Sequence, residues 1–129
     1  MDLRPLLGVA VLVVEDHPDT RELLTMVLGQ AGALVTAVGT ARDALASARI
    51  LLPDVVTVDL SLTDGEDGYW LLERIRALPS PKPIIALAFT AHASDADRAR
   101  ALGAGFDAYV RKPSDPNELV ERITRLVGS

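Results

Sequence analysis

Residues 9–16 read VAVLVVED, an unbroken run of apolar residues that ends in two acids. Such a run is typical of a strand buried on both faces of a parallel sheet, because a strand with one face in water would alternate apolar and polar residues. Pro18 and Asp19 follow shortly afterwards and predict the start of a helix. A buried strand that leads directly into a helix is the first half of a βα unit, and it indicates an α/β fold.

The same strand–helix pattern occurs five times along the chain. Strands are predicted at residues 9–14, 34–38, 55–58, 84–89 and 106–110, and helices at about 18–29, 41–51, 69–78, 95–103 and 116–126. Thr40 and Ser94 are the predicted N-caps of the second and fourth helices, and Gly103 is the predicted end of the fourth. The apolar stripe predicted for the first helix comprises Leu23, Leu24, Val27 and Leu28.

These units predict a single α/β architecture. Short connections and right-handed crossovers favour a flavodoxin-like (βα)5 fold, a doubly wound parallel sheet with strand order 2-1-3-4-5. With 129 residues, the chain is long enough for one domain and short for two. Residues 1–8 are predicted to form an N-terminal extension, and residues 9–129 a single domain.

Composition excludes several classes of function. The chain has no cysteine, so disulfides and thiolate metal sites are excluded. Its net charge is −5 and its 13 basic residues are spread out, which argues against a nucleic-acid groove. No apolar run is long enough to cross a bilayer, and no signal peptide is expected. We therefore expect a cytoplasmic protein that binds neither nucleic acid nor a membrane.

Chemically active side chains follow four of the five predicted strands. Glu15 and Asp16 end the first strand, Asp59 the third and Thr90 the fourth, while Lys112 follows the fifth. In an open parallel sheet, ligands bind beyond the carboxyl ends of the strands. With the predicted strand order these four strands are neighbours, so three carboxylates, a hydroxyl and an ammonium are expected to converge.

Three carboxylates in one pocket repel one another, and a hard divalent cation would remove that repulsion. Oxygen ligands and the lack of cysteine or paired histidine favour Mg²⁺ or Mn²⁺ over Zn²⁺. Beside such a cation, Thr90 and Lys112 would hold the oxygens of a phosphoryl group. The constellation therefore suits transfer of a phosphoryl group onto the carboxylate of Asp59.

Each of these residues also has a structural interpretation. An aspartate after a strand is commonly a turn former or helix cap, and for Glu15 and Asp16 taken singly a capping role is about equally plausible. Thr90 would be an N-cap and Lys112 a solvated loop residue. Convergence of four strand ends favours the functional interpretation. Two isolated histidines, His17 and His92, are interpreted as rim residues rather than metal ligands.

Four segments resemble the response-regulator receiver family: VLVVEDHPDTRELL, VVTVDLSLTDGEDGYWLLERIR, FTAHA and GFDAYVRKPSDPNELVERI. The resemblance covers residues 9–127 and includes single-domain response regulators, chemotaxis regulators and receivers of hybrid histidine kinases. It implies a two-component signalling domain that takes a phosphoryl group from a histidine kinase or histidine phosphotransfer protein. The domain would then bind a downstream protein effector. It would catalyse only its own phosphorylation and dephosphorylation, and so would not be an enzyme in the usual sense.

The resemblance also implies roles for individual residues. Glu15 and Asp16 would bind Mg²⁺ together with Asp59, the phosphoacceptor, and the backbone carbonyl of Ser61. The remaining implied roles are Thr90 as switch hydroxyl, Tyr109 as switch aromatic and Lys112 as phosphate-binding lysine, followed by a cis Pro113. One departure from the family is Thr63, which stands where a proline is usual, in a loop that is one residue longer.

The sequence fits two other functions less well than it fits a receiver. A Mg²⁺-dependent phosphatase with an aspartyl-phosphate intermediate, similar to haloacid dehalogenases, would need a second acid two residues after the first, where this chain has Ser61 after Asp59. A flavodoxin-like cofactor binder would need a neutral phosphate loop after the first strand. Glu15, Asp16 and Asp19 would instead repel phosphate.

Overall fold

A computed structural model describes residues 4–61, 68–91, 94–112 and 115–128. Strands and helices alternate through these residues. In chain order they are β1 (Ala10–Val14), α1 (Pro18–Gln30), β2 (Leu34–Val38), α2 (Ala41–Ile50), β3 (Val55–Val58), α3 (Gly68–Arg76), β4 (Ile85–Thr90), α4 (Asp95–Ala104), β5 (Ala108–Arg111) and α5 (Pro116–Val127). Within the described residues, no helix is both long and apolar enough to span a membrane.

The strands form one parallel sheet in the order β2-β1-β3-β4-β5, which confirms the predicted architecture. Successive residues of a strand point to opposite faces, and both faces of the central strands are covered. Val11 and Val13 of β1 pack with Leu24 and Leu28 of α1, whereas Leu12 of β1 belongs to the opposite core beneath α2 and α3. This double burial explains why β1 is an unbroken apolar run.

Helix α4 ends later than Gly103, so that prediction was wrong. Gly103 lies inside the helix, and Gly105 is its left-handed C-cap with φ 115°. The fifth strand accordingly starts at Ala108 rather than Phe106, because the N–H of Phe106 still bonds back to the carbonyl of Ala101, 3.2 Å away. The N-cap predictions were right: Thr40 and Ser94 each accept a backbone N–H of their own helix.

The buried stripe of α1 is narrower than predicted. Leu24 and Leu28, four residues apart, are buried, and Val27 is half-buried at their side. Leu23 is 42% exposed, so its assignment to the core was wrong. Residues four apart share one helix face, whereas a residue adjacent to them is rotated away by about a quarter turn.

Residues 4–8 pack against the body of the domain. Leu6 is fully buried, and its N–H donates to the carbonyl of Ala31, 2.9 Å away. Gly32 allows this approach, since a Cβ there would lie 2.8 Å from the Cα of Leu7. The division into an extension (residues 1–8) and a domain (residues 9–129) stays a prediction, although residues 4–8 are held by the fold rather than loose.

Two aspartates tie neighbouring strands together at the amino edge of the sheet. Asp54 accepts the N–H of Ala10 at 2.8 Å and returns its own N–H to the Ala10 carbonyl at the same distance. Asp107 makes the same reciprocal pair with Ala86, at 2.8 and 2.7 Å. These pairs satisfy backbone groups where the ladders begin, and so they help to set the register of β1 beside β3 and of β4 beside β5.

Candidate functional site

The carboxyl edge of the sheet brings the predicted site residues together through backbone pairing that continues past the strand ends. The N–H of Glu15 donates to the carbonyl of Val38, and that of Asp59 to the carbonyl of Val14, each at 3.0 Å. The N–H of Lys112 donates to the carbonyl of Thr90 at 2.8 Å. Each functional residue is therefore held by the strand beside it, which leaves its backbone little freedom.

Glu15, Asp16 and Asp59 form a tight acidic cluster. One carboxylate oxygen from each lies within 4.8 Å of the others. Glu15 and Asp59 are 1% and 5% exposed, whereas Asp16 is half-buried. Burial, followed by the hydrogen bond to Asp59, raises the pKa of Glu15 to about 7, against the opposing effect of Lys112. Carboxylate oxygens are the donor atoms that Mg²⁺ prefers, so these residues fit that ion.

Lys112 lies between two of these carboxylates. Its Nζ donates to Oε1 of Glu15 and lies 3.3 Å from Oδ2 of Asp59. The ammonium also lies 5.1 Å from the centre of the Phe89 ring, within range of a cation–π contact. Its side chain is only 18% exposed, so the ion pairs are partly shielded from water. Lys112 thus balances part of the negative charge of the acidic cluster.

Ser61 contacts both Asp59 and Thr90. Its backbone N–H donates to Oδ1 of Asp59 at 2.8 Å. Its Oγ lies 3.3 Å from Oγ1 of Thr90, whose side chain is fully buried. Asp59 therefore has Ser61 on one oxygen and Lys112 on the other.

Tyr109 lies outside the cluster, on the α3 and α4 side of the sheet. It pairs with Ala88, and Thr90 is two residues farther along β4, so Thr90 and Tyr109 share one face of the sheet. Tyr109 is 8% exposed, and its hydroxyl has no hydrogen-bond partner among the described residues. Burial, followed by the nearby charge of Asp97, raises the pKa of the Tyr109 phenol.

An open cleft of about 540 Å³ leads to the carboxylates. Its lining consists of Glu15, Asp16, His17, Pro18, Thr20, Asp59, Ser61 and Lys112. His17 is exposed, as expected of a rim residue, and its backbone N–H reaches Oε2 of Glu15 at 3.2 Å. The predictions for Thr63, His92 and Pro113 concern residues outside those that the structure describes.

Sequence reasoning missed three contributors to this site. Arg21 donates to the backbone carbonyl of Glu15 at 2.9 Å, and Gly39 leaves room for it, since a Cβ there would lie 3.0 Å from the guanidinium. Phe89 lies against Lys112, and the Ser61 hydroxyl meets Thr90. The position of Phe89 just before Thr90 was a weak signal, but nothing in the sequence marked Arg21 or the Ser61 hydroxyl.

A family model, the response regulator receiver domain, matches residues 11–124, which carry the whole cluster and all five strands except one residue of β1. The chain belongs to this family. A receiver domain is the phosphoacceptor signalling domain of two-component systems, and the comparisons therefore favour this function over the phosphatase and the cofactor binder.

Relatives of this receiver differ in length. The chain is 41% identical over 113 residues to an uncharacterised 14.6 kDa protein of Leptolyngbya boryana, covering 88% of this chain and 86% of that protein. It is 40% identical to the DNA-binding response regulator MtrA of Mycolicibacterium smegmatis, with 88% of this chain and 48% of MtrA covered. It is 38% identical to the transcriptional regulatory protein TcrX of Mycobacterium tuberculosis, covering 92% of this chain and 50% of TcrX. The receiver thus spans about half the length of the two regulators.

Solved structures support the same assignment. A response regulator from Chloroflexus aurantiacus superimposes with a TM-score of 0.85 at 32% identity, covering 94% of this receiver and 98% of that chain. The beryllofluoride-activated receiver domain of DrrB gives a TM-score of 0.82 at 26% identity, covering 94% of this receiver and 98% of the DrrB chain. The chemotaxis regulator CheY4 of Vibrio cholerae shares the fold, with a TM-score of 0.84 at 24% identity. The superposition covers 92% of this receiver and 98% of the CheY4 chain.

Proposed function

We propose that this receiver domain accepts a phosphoryl group on Asp59 from a phosphohistidine donor, with Mg²⁺ bound beside it. The observation that carries the proposal is the position of Asp59, whose buried carboxylate lines an open cleft between two other acids and Lys112. A lone carboxylate at a strand end would not need this surrounding set of charges.

The transfer is a single in-line displacement at phosphorus. One oxygen of Asp59 forms the new P–O bond while the P–N bond to the donor histidine breaks, and the imidazole leaves with the electron pair of that bond. Lys112 is already within 3.3 Å of Asp59, so it needs only a small movement to bind an oxygen of the arriving group. Attack by water on the acyl phosphate later returns the free carboxylate and inorganic phosphate.

Glu15, Asp16 and Asp59 would hold the metal, with the backbone carbonyl of Ser61 as a fourth oxygen. Bound Mg²⁺ supplies positive charge for the phosphoryl oxygens and removes the repulsion between the carboxylates. The contact between Lys112 and Glu15 would then weaken, because the metal ion would neutralise the charge of Glu15 in place of the lysine. This leaves the lysine free for the phosphoryl group.

Phosphorylation would be transmitted by Thr90 and Tyr109. Thr90 lies on the same sheet face as Tyr109, so a shift of its hydroxyl toward the phosphoryl group would change the space available to that ring. The Tyr109 hydroxyl has no hydrogen-bond partner in the described part of the chain, which weakens the hold of this ring on its present position. A coupling of roughly 1–3 kcal/mol is enough for such a switch.

Receiver domains act between histidine kinases and effectors, and we place this one in such a cytoplasmic pathway. We propose that the receiver itself contacts proteins rather than nucleic acid. Its net charge of −5 and scattered basic residues support that view. The DNA-binding activity in the name of MtrA belongs to a protein about twice as long as the matched segment.

The decisive experiment is labelling with a small phosphodonor and Mg²⁺, read by intact mass. The wild-type chain should gain one phosphoryl group that is stable in acid and lost in base, and EDTA should abolish the gain. Asp59→Asn, which keeps the size of the side chain, should gain none. Glu73→Gln is the matched control, because Glu73 is an acid on α3 with a side chain 78% exposed. Equal labelling of Asp59→Asn would refute the proposal.

A further inference from the structure

The hydroxyl of Ser61 has no role in the function derived above, which uses only its backbone carbonyl. Yet Ser61 touches the two groups that phosphorylation must connect. Its N–H bonds Oδ1 of Asp59 at 2.8 Å, and its Oγ lies 3.3 Å from Oγ1 of Thr90. The side chain is half-buried at the wall of the cleft, so this contact is partly shielded from competing water.

We propose that the Ser61 hydroxyl is a positioning group, which holds the Thr90 hydroxyl in the unphosphorylated conformation and thereby sets how readily the switch responds. The inference rests on the proposed function of Asp59 and Thr90. It concerns the side chain of Ser61 alone and is independent of whether its carbonyl binds the metal.

The contact between the Ser61 and Thr90 hydroxyls is weak enough for Thr90 to exchange it for a bond to a phosphoryl group. Hydroxyl–hydroxyl bonds are usually about 2.5–3.0 Å long, so the 3.3 Å separation indicates a weak one. A phosphoryl group on Asp59 offers charged oxygens, and hydrogen bonds to charged acceptors are roughly twice as strong as neutral ones. Thr90 can therefore exchange its weak contact with Ser61 for a stronger one with the phosphoryl group.

The backbone of Ser61 links this exchange to the acceptor. Because its N–H is bonded to Asp59, the position of its Oγ depends on the position of that carboxylate. Thr90 is fully buried, and its rotation is limited by the surrounding side chains. Loss of the Ser61 hydroxyl should therefore favour the activated orientation of Thr90 without altering the acceptor carboxylate.

The test is a titration of the full chain with beryllofluoride in excess Mg²⁺, followed by NMR of the backbone signals around Asp59, which respond with or without Thr90, and of β5. Ser61→Ala should reach half-saturation at a beryllofluoride concentration about two- to fivefold lower than the wild type, as expected for loss of one weak hydrogen bond. Ser61→Thr, which keeps a hydroxyl, should stay near the wild-type value. Ser61→Gly is a second hydroxyl-free variant, should Ser61→Ala fail to fold.

The same substitution is then made in a Thr90→Ala background, and denaturant unfolding of all four proteins is measured without beryllofluoride. Ser61→Ala should leave half-saturation unchanged in that background, and unfolding should show coupling between the two positions. An equal effect in both backgrounds, or none in either, would overturn the inference. A wild-type chain that does not respond to beryllofluoride would instead refute the proposed function, and coupling in unfolding would still report on the Ser61–Thr90 contact.

Discussion

At the scale of single residues, the dominant feature is the close approach of three carboxylates. Glu15 and Asp59 are buried beside Asp16, and Lys112 lies between Glu15 and Asp59. Burial of a charge is unfavourable unless the charge is paired, and carboxylates held close together repel one another. Burial, followed by the hydrogen bond to Asp59, raises the pKa of Glu15. The proposed Mg²⁺ would relieve this repulsion.

This repulsion between carboxylates predicts that Mg²⁺ stabilises the fold. At a free Mg²⁺ concentration 100 times its Kd, linkage gives about 2.7 kcal/mol of additional unfolding free energy. Asp16→Asn should lose most of that gain while remaining folded. Urea unfolding with Mg²⁺ or EDTA measures the difference, with Glu73→Gln as the variant that should behave like wild type. If Asp16→Asn gains as much as the parent, Asp16 is not a ligand.

At the scale of elements, the end of α4 depends on which glycine adopts the left-handed conformation. Gly103 and Gly105 are two residues apart, and because both are glycine, the sequence alone does not decide which of them caps the helix. Gly105 has φ 115°, whereas Gly103 continues the helix. The choice follows from packing: Ala101 and Phe106 are both buried, and the helix must continue far enough to place both.

Two alanine substitutions should therefore have opposite effects. Gly105→Ala should lower the unfolding free energy by about 1 kcal/mol, because an L residue is strained at this φ. The strain arises in the backbone, since the nearest atom to the added Cβ would be 3.8 Å away. In Gly103→Ala the added Cβ would have nothing within 4 Å, so this substitution should raise the unfolding free energy by up to about 1 kcal/mol. Urea midpoints give both values, and a loss of stability in Gly103→Ala would contradict the helix boundary.

At the scale of the whole molecule, the site and the proposed output lie at one edge and one face of the same sheet. Asp59 follows β3, Thr90 ends β4 and Tyr109 lies in β5, so three adjacent strands connect the proposed acceptor with the proposed reporter. Strands in a close-packed core transmit displacement because they have few voids to absorb it. A change at Asp59 is therefore expected to reach α4, which packs on β5.

We expect beryllofluoride with Mg²⁺ to shift backbone NMR signals of β5 and α4 as well as those around Asp59. Thr90→Ala should still bind the analogue, but its shifts should be confined to the cleft, because the hydroxyl that we propose moves is absent. Thr36→Ala is the matched control, since Thr36 is an exposed threonine on edge strand β2. Wild-type shifts limited to the cleft would rule out this route through β5.

Much of the fold was predictable because its signals are local. The apolar run of β1 indicated burial on both faces, and the N-caps at Thr40 and Ser94 needed only their own helices. The acids at strand ends could be placed together once the sheet was parallel, since all its strands end at one edge. Leu23 was misplaced because an apolar residue beside a buried stripe carries no signal of the stripe's width.

The sequence by itself determined the βα order, the parallel sheet and the identity of the acidic cluster, because apolar periodicity and residue chemistry are properties of short segments. The tertiary structure alone decided which partners those groups take. The contacts of Lys112 with Glu15, of Ser61 with Thr90 and of Asp107 with Ala86 join residues 97, 29 and 21 positions apart. Hydrogen bonds of this kind depend on distances of a few tenths of an ångström, which are set by the packing of the whole sheet and not by any one segment.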